Sequence, residues 1–244
     1  MGWDRIRQLE VEAATVLEHL IWDEYLLRAC DMGIIGPNIR IWSADKPAVV
    51  LGYSNLPERE VVIEACRKEG IPILRRTSGG GAVLLDAGCL NYSLVLPITY
   101  HSALASVGQT NQYVMENHRL ILQEMLGREV KLQGDTDLVF GDRKVSGNAQ
   151  RRLRGAVLFH GSFLFNTDLE LMGRVLAFPS RQPEYRNGRN HHQFVNNLNL
   201  TAPVLRTALL TFWAKSLSAE TVSSRELELW KACKKRIKFV DPHS

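Results

Sequence analysis

Arg75-Arg76-Thr77-Ser78-Gly79-Gly80-Gly81-Ala82-Val83 sets two cations, two hydroxyls and three consecutive glycines between the apolar runs Ile71-Pro72-Ile73-Leu74 and Val83-Leu84-Leu85. The flanks read as short buried strands. Three glycines weaken a strand, because each costs backbone entropy and packs nothing. What they offer is a backbone that a ligand can approach closely, with N–H groups free to face an anion. The arginines add fixed charge and planar donors suited to carboxylate or phosphate. The stretch therefore reads as a binding turn for an anion. It matches neither the Gly-x-x-x-x-Gly-Lys-Ser/Thr phosphate loop nor a Gly-x-Gly-x-x-Gly turn opening a helix, which weighs against P-loop nucleotidases and dinucleotide-binding dehydrogenases.

Working outward, strand-like runs lie on both sides: Ile39-Arg40-Ile41-Trp42 and Pro47–Gly52 before the turn, Leu90–Leu96 after it. Residues 11–30 recur apolar at helical spacing, with the adjacent acids Asp23 and Glu24 expected on the polar side. A helix over 57–69 starts at Pro57 and stops at Gly70; another over 109–127 is capped by Thr110 and stopped by Gly127. Further on come strand-like 130–132 and 138–140, a Gly141-Asp142 turn, and apolar strands at 156–159 and 163–165. Helices close the chain near 204–218 and 225–235. The pattern predicts a single α+β domain over residues 1–244, a mixed β-sheet core with flanking helices.

A second polar constellation runs Asp135-Thr136-Asp137, then Asp142-Arg143-Lys144-Val145-Ser146-Gly147-Asn148-Ala149, then His160-Gly161-Ser162. It reads as too polar for a core strand. Lys144 among small residues is placed like a point charge for an oxyanion or phosphate. Read alone, Lys144 also fits a surface position, and His160 a hydrogen-bonded core histidine. His191 and His192 read as structural or loop residues. Arg151-Arg152-Leu153-Arg154 is either a solvated loop or a contact site.

The 244 residues are 45% apolar and 23% charged, with a net charge of +4 and a pI near 8.9. Such mild basicity suits acidic partners without pointing to nucleic acid. The four cysteines lack zinc-site spacing. No apolar run would span a bilayer and no secretory leader is legible, so a cytoplasmic protein with reduced thiols and no membrane partner is expected.

Together these segments resemble the lipoate–protein ligase A family, within the biotin/lipoate ligase superfamily. Trp22-Asp23-Glu24 is similar to its opening helix and Val50-Leu51-Gly52-Tyr53-Ser54-Asn55 to its Gly-x-x-Asn strand end. The glycine turn is close to its Arg-Arg-x-Ser-Gly-Gly-Gly-Ala-Val signature, Thr136-Asp137-Leu138 to its Asn-Asp-Leu, Gly141–Ala149 to its lysine motif and His160-Gly161-Ser162 to its His-Gly-Thr. The resemblance spans about residues 15–200 and implies the biotin/lipoate ligase catalytic fold.

It also implies an enzyme that takes lipoate or octanoate with ATP and Mg²⁺, forms an acyl-adenylate, and passes the acyl group to a lysine of a lipoyl domain. Acceptors would be like the E2 chains of 2-oxoacid dehydrogenases or the glycine-cleavage H protein. Lys144 would be catalytic. Arg76, Ser78, Gly79, Gly80, Gly81, Ala82, Asp137, Gly147, Asn148, Ala149, His160 and Gly161 would bind acid or adenylate, with Asp137 near Mg²⁺ or the adenosine. The family's His-Asp after the glycine turn is Leu85-Asp86 here, and the chain is too short for a C-terminal accessory domain, so activation would either need a separate accessory protein or not occur. Transferases of the same fold use a cysteine nucleophile without ATP. Where one branch has Ala-Cys-Phe this chain has Gln133-Gly134-Asp135-Thr136, leaving Cys89 as the candidate thiol, or as a small buried hydrophobe. A degenerate, non-catalytic lipoyl binder is the remaining alternative.

Overall fold

The structure, a computed structural model, describes residues 5–215 and 219–222 together with Glu226, Glu228 and Trp230. In chain order the elements are β1 (Arg7–Glu10), α1 (Val16–Asp31), β2 (Asn38–Trp42), β3 (Ala48–Leu51), α2 (Pro57–Glu60), α3 (Ile63–Glu69), β4 (Ile73–Arg75), β5 (Val83–Leu85), β6 (Cys89–Pro97), α4 (Val107–Leu126), β7 (Val130–Gln133), β8 (Asp137–Phe140), β9 (Arg143–Arg152), β10 (Ala156–Leu164), α5 (Leu169–Val175), α6 (His191–Phe194), α7 (Ala202–Trp213) and β11 (Glu220–Thr221). Among the described residues there are two sheets. A large mixed one runs β11-β1-β2-β6-β10-β9-β8-β7, and a small one runs β4-β3-β5.

Alternation along β6 builds the two faces of the large sheet. Leu90, Tyr92, Leu94 and Leu96 join a core with α4 and α7 residues such as Val114, Leu122, Leu205 and Trp213. Val95 instead packs with Leu158 of β10 against Trp22, Tyr25 and Leu26 of α1. The other side of α1 presents Val16 and Leu20 to the small sheet. This helix is thus held between the two sheets and buried almost all round. That burial corrects the reading of Asp23, which is 2% exposed; Glu24 keeps the polar-side role and pairs with Arg28.

Other boundaries differ for identifiable reasons. The helix predicted over 57–69 is broken at Val61, which turns extended to bridge Leu176, while the Val62 N–H donates to Val175 O. Tertiary pairing here overrides local propensity. Helix α4 begins at Val107 on the Ser106 cap, and the Thr110 hydroxyl donates to Ser106 O within the first turn. Residues 156–164 form one strand through Gly161 rather than two, and α7 stops at Trp213. The helix expected at 225–235 falls largely outside the described residues.

Residues 143–152 are strand β9 despite their polarity. The strand alternates two jobs. Asn148, Gln150 and Arg152 bind Thr136, Asn111 and Thr110, while Gly147 and Ala149 stand opposite Ser162 and His160 of β10 and line a cleft. These polar groups are bonded within the fold, which is what makes a half-buried strand of this composition tolerable. Arg151 and Arg152 therefore sit on a strand, not in a loop.

Gly88 marks a close crossing. Its carbonyl accepts the N–H groups of Phe165 and Asn166, and a Cβ there would lie 2.0 Å from the Asn166 carbonyl. Because that neighbour is backbone, Gly88→Ala should destabilise the protein by about 2–3 kcal/mol, a fall of roughly 5–10 °C in Tm. Thermal denaturation followed by circular dichroism checks it.

Candidate active site

Strands β4 and β5 flank the glycine turn in sequence but do not pair with each other. Strand β3 lies between them, parallel to β4 and antiparallel to β5, so residues 76–82 must cross over its end. The crossing is tied by arginines. Arg75 Nη1 donates to the carbonyls of Gly52, Tyr53 and Asn55. Arg76 sends Nη1 to Val50 O, Nη2 to Gly79 O at 2.6 Å and to Gly81 O at 2.8 Å, and Nε to Ser78 Oγ at 3.1 Å. The Ser78 carbonyl accepts from Tyr53 N–H. With these carbonyls turned inward, the face that Gly80, Gly81 and Ala82 present to the cleft is open to an anion.

Arg76 is surrounded closely enough that burial lowers its pKa to about 10, and no carboxylate among the described residues offsets its charge. A cation enclosed without a counter-charge favours an anionic ligand beside it. Gly80 has φ +88°, in the left-handed region glycine tolerates. Gly52 sits so close that a Cβ on it would fall 2.1 Å from Gly80 O.

Across the cleft, Lys144 Nζ pairs with Asp137 Oδ1 at 2.7 Å. Asp137 Oδ2 accepts from Tyr185 Oη at 2.7 Å; burial, then the Asp137 charge, raises the pKa of that phenol. The Lys144 side chain lies over Gly147, where a Cβ would meet Cε at 2.9 Å. Asn148 is held by Thr136 and Tyr92. Gly161 leaves room for it, since a Cβ there would overlap Asn148 Oδ1 at 1.9 Å.

His160, paired across the sheet with Ser93 and Ala149, bonds Ser78 Oγ through Nε2 at 2.6 Å and Asp23 Oδ2 through Nδ1 at 2.8 Å. Asp23 Oδ1 also accepts from Arg40 Nη2 at 2.6 Å and Ser93 Oγ at 2.5 Å. Burial would raise the pKa of Asp23, but the His160 bond and the Arg40 charge bring it below the usual carboxylate value. Ser78 is fully buried, and Asp23 and His160 reach the cleft wall. Sequence reasoning brought Ser78 and His160 to the site and missed Asp23 and Arg40. The available signal was a lone charge at apolar spacing: Asp23 follows Val16 and Leu20 at helical intervals, and Arg40 interrupts Ile39 and Ile41.

The cleft is lined by two cations, Arg76 and Lys144, with Gly80 and Gly81 of the turn; Leu20, Trp42, Val50, Val83 and Leu85 supply apolar wall. A compact acid with a hydrocarbon tail suits both parts. Cys89 is outside it. This thiol is fully buried, lies 3.2 Å from Thr167 Oγ1, and burial pushes its pKa up to about 12, the reverse of a nucleophilic thiolate. Among the described residues no group of three His, Cys, Asp or Glu is arranged for a metal. Both oxygens of Asp137 are engaged, so a Mg²⁺ here would have to be carried mainly on a nucleotide's phosphates, the usual arrangement for that ion. No helix among the described residues is long and apolar enough to cross a membrane.

The family model for the lipoyl protein ligase A/B catalytic domain matches residues 15–209. The chain is 27% identical to lipoate-protein ligase A subunit 1 of Thermoplasma acidophilum over 92% of this chain and 90% of that one. It is 26% identical to the octanoyltransferase LipM of Anoxybacillus flavithermus over 81% of each. A T. acidophilum structure with bound lipoic acid superposes with a TM-score of 0.77 at 26% identity, covering 95% of both chains. A lipoate-protein ligase A bound with ATP gives 0.76 at 26% identity, again over 95% of each chain.

The packing of Gly52 against Gly80 gives a local test. Gly52→Ala should displace the turn carbonyl it would overlap and weaken anion binding at least about tenfold, the loss expected when a charge-assisted contact is broken, while the large sheet stays folded. Calorimetric titration with lipoate, alongside circular dichroism, reads both; unchanged affinity would place the anion elsewhere.

Proposed function

The chain belongs to the lipoyl protein ligase A/B catalytic domain family, and from that premise we propose that it is an ATP-dependent lipoate–protein ligase. In the first step a lipoate carboxylate oxygen attacks the α-phosphorus of ATP and pyrophosphate leaves. In the second the ε-amine of an acceptor lysine attacks the acyl carbonyl of lipoyl-adenylate, an amide forms, and AMP leaves with the bonding pair of the broken acyl–oxygen bond. The observation that carries the reading is the Arg76 charge, which no carboxylate among the described residues offsets, beside a glycine turn that opens on a part-apolar cleft.

In this reading Gly79, Gly80, Gly81 and Ala82 cradle the adenylate phosphate through their N–H groups, with the Arg76 charge behind them. Gly147, Asn148 and Ala149 form the opposite wall, and Gly161 keeps room for Asn148. Ser78 and His160 support the turn from below rather than touching the phosphate. Lys144 exchanges Asp137 for the acyl carbonyl and phosphate, and Asp137 is the residue that would face a Mg²⁺ brought on the nucleotide, an ion that would neutralise phosphate charge. The acyl chain lies along Leu20, Trp42 and Val83, where each buried methylene contributes about 0.8 kcal/mol.

Octanoate transfer without ATP is the second reading, favoured by the likeness to an octanoyltransferase. It requires a thiolate within reach of the acyl group, and no cysteine lines the cleft among the described residues. A thiol raised to about 12 is a poor nucleophile at neutral pH. The acceptor would be a lipoyl domain of the E2 or H-protein kind. Because the Thermoplasma relative is called subunit 1, a second chain is expected to assist, and its effect should fall on activation rather than transfer.

Lys144→Ala should slow single-turnover transfer from synthetic lipoyl-adenylate to a lipoyl domain by about 100-fold, near 3 kcal/mol, the usual loss on removing one transition-state donor. Arginine should rescue only in part, since its planar head does not replace a point charge. Near-native transfer by a folded Lys144→Ala protein defeats the assignment. Separately, Cys89→Ser should retain most transfer, and an acyl adduct mapped to Cys89 by mass spectrometry would favour the transferase.

A further inference from the structure

Asp23, His160 and Ser78 are the residue types of a hydrolytic triad and lie at triad distances, 2.6 and 2.8 Å. Their setting excludes that use. Ser78 is 0% exposed, and its Oγ accepts Arg76 Nε–H at 3.1 Å instead of facing the cleft. We propose that the three are positioning residues: a one-way hydrogen-bond chain that fixes the Arg76 guanidinium, and through it the carbonyls of the glycine turn.

The direction of every hydrogen follows from the partners. Asp23 is acceptor-only, so the ring nitrogen facing it, Nδ1, carries hydrogen. Arg40 Nη2 already balances the Asp23 charge at 2.6 Å, so a neutral ring satisfies the group. Nε2 is then an acceptor, and the hydroxyl 2.6 Å away must donate to it. With its hydrogen committed, Ser78 Oγ turns a lone pair to Arg76 Nε–H, which can only donate. Arg40 and Ser93 hold the far end at Asp23. The chain thus runs from Arg76 to Ser78 to His160 to Asp23, each link donated toward Asp23.

What it fixes is a plane. Nε pinned by Ser78 leaves the rest of the guanidinium to meet Val50, Gly79 and Gly81 carbonyls simultaneously. Without that pin the head can rotate, and the turn loses the clamp that keeps its carbonyls away from the ligand. The chain also joins parts distant in sequence: α1, the large sheet and the turn of the small sheet. This deepens the adenylate-cradle reading above and rests on it for the ligand, but the hydrogen placement is testable without ligand.

Two measurements decide it. In the ligand-free protein at neutral pH, long-range ¹H–¹⁵N spectra of the histidine rings, with His160→Gln for assignment, should show His160 as the Nδ1–H tautomer. Hydrogen on Nε2 alone, or a charged ring, overturns the chain whatever the ligand. Next, Ser78→Ala, His160→Gln and Arg76→Met should each weaken lipoate binding about tenfold or more. Either of the first two combined with Arg76→Met should lose no more than Arg76→Met alone, because they act through that side chain. Additive losses in folded proteins overturn the positioning role, as does unchanged affinity in Ser78→Ala. If the wild-type protein binds no lipoate, the function proposed above fails and the tautomer still judges the chain.

Discussion

The clamp that Arg76 makes on its own loop is the contact on which the site depends. A glycine triplet has no intrinsic shape, and holding it still means offsetting about 1–2 kcal/mol of backbone entropy per residue. Here one guanidinium does so by meeting three carbonyls and a hydroxyl. It both rigidifies the turn and sorts its polarity, drawing acceptors inward. Arg75 repeats the device on residues 52–55. The arginines that look in the sequence like ligand groups thus act first on the protein's own backbone.

The buried Asp23–Arg40 pair works at the next level. Two ions taken from water are costly unless each is well bonded, and here the carboxylate has three side-chain partners, Arg40, Ser93 and His160. The arrangement sits where α1 crosses the large sheet, between apolar packing on one side and the cleft on the other. Helix, sheet and turn are therefore registered by polar contacts at the one place where packing alone would leave their rotation loosely defined.

Legibility in the sequence followed the same division. The glycine turn and the lysine motif were readable because their composition is incompatible with ordinary core, and the α+β character, a mixed sheet with flanking helices, was readable from periodicity. Strand β9 was not, since its polar residues are satisfied by Thr136, Asn111 and Thr110 from distant segments. Asp23 was misplaced because α1 is packed on both sides and leaves only a narrow polar strip, which Glu24 and Arg28 occupy. The break at Val61 depends on Leu176, which no local window contains. Ser78 and His160 were found by their neighbours' motif, while their mutual bond is purely tertiary.

The placement of β3 between β4 and β5 has a consequence for assembly. The small sheet takes all its strands from residues 48–85, whereas the large sheet must join β1 to β11, with Leu9 opposite Glu220. Chain closure costs more, and proceeds more slowly, as partners lie further apart in sequence. The glycine turn is thus framed by pairings inside residues 48–85, while His160, whose own strand closes locally on β9, reaches Ser78 only when the two sheets come together.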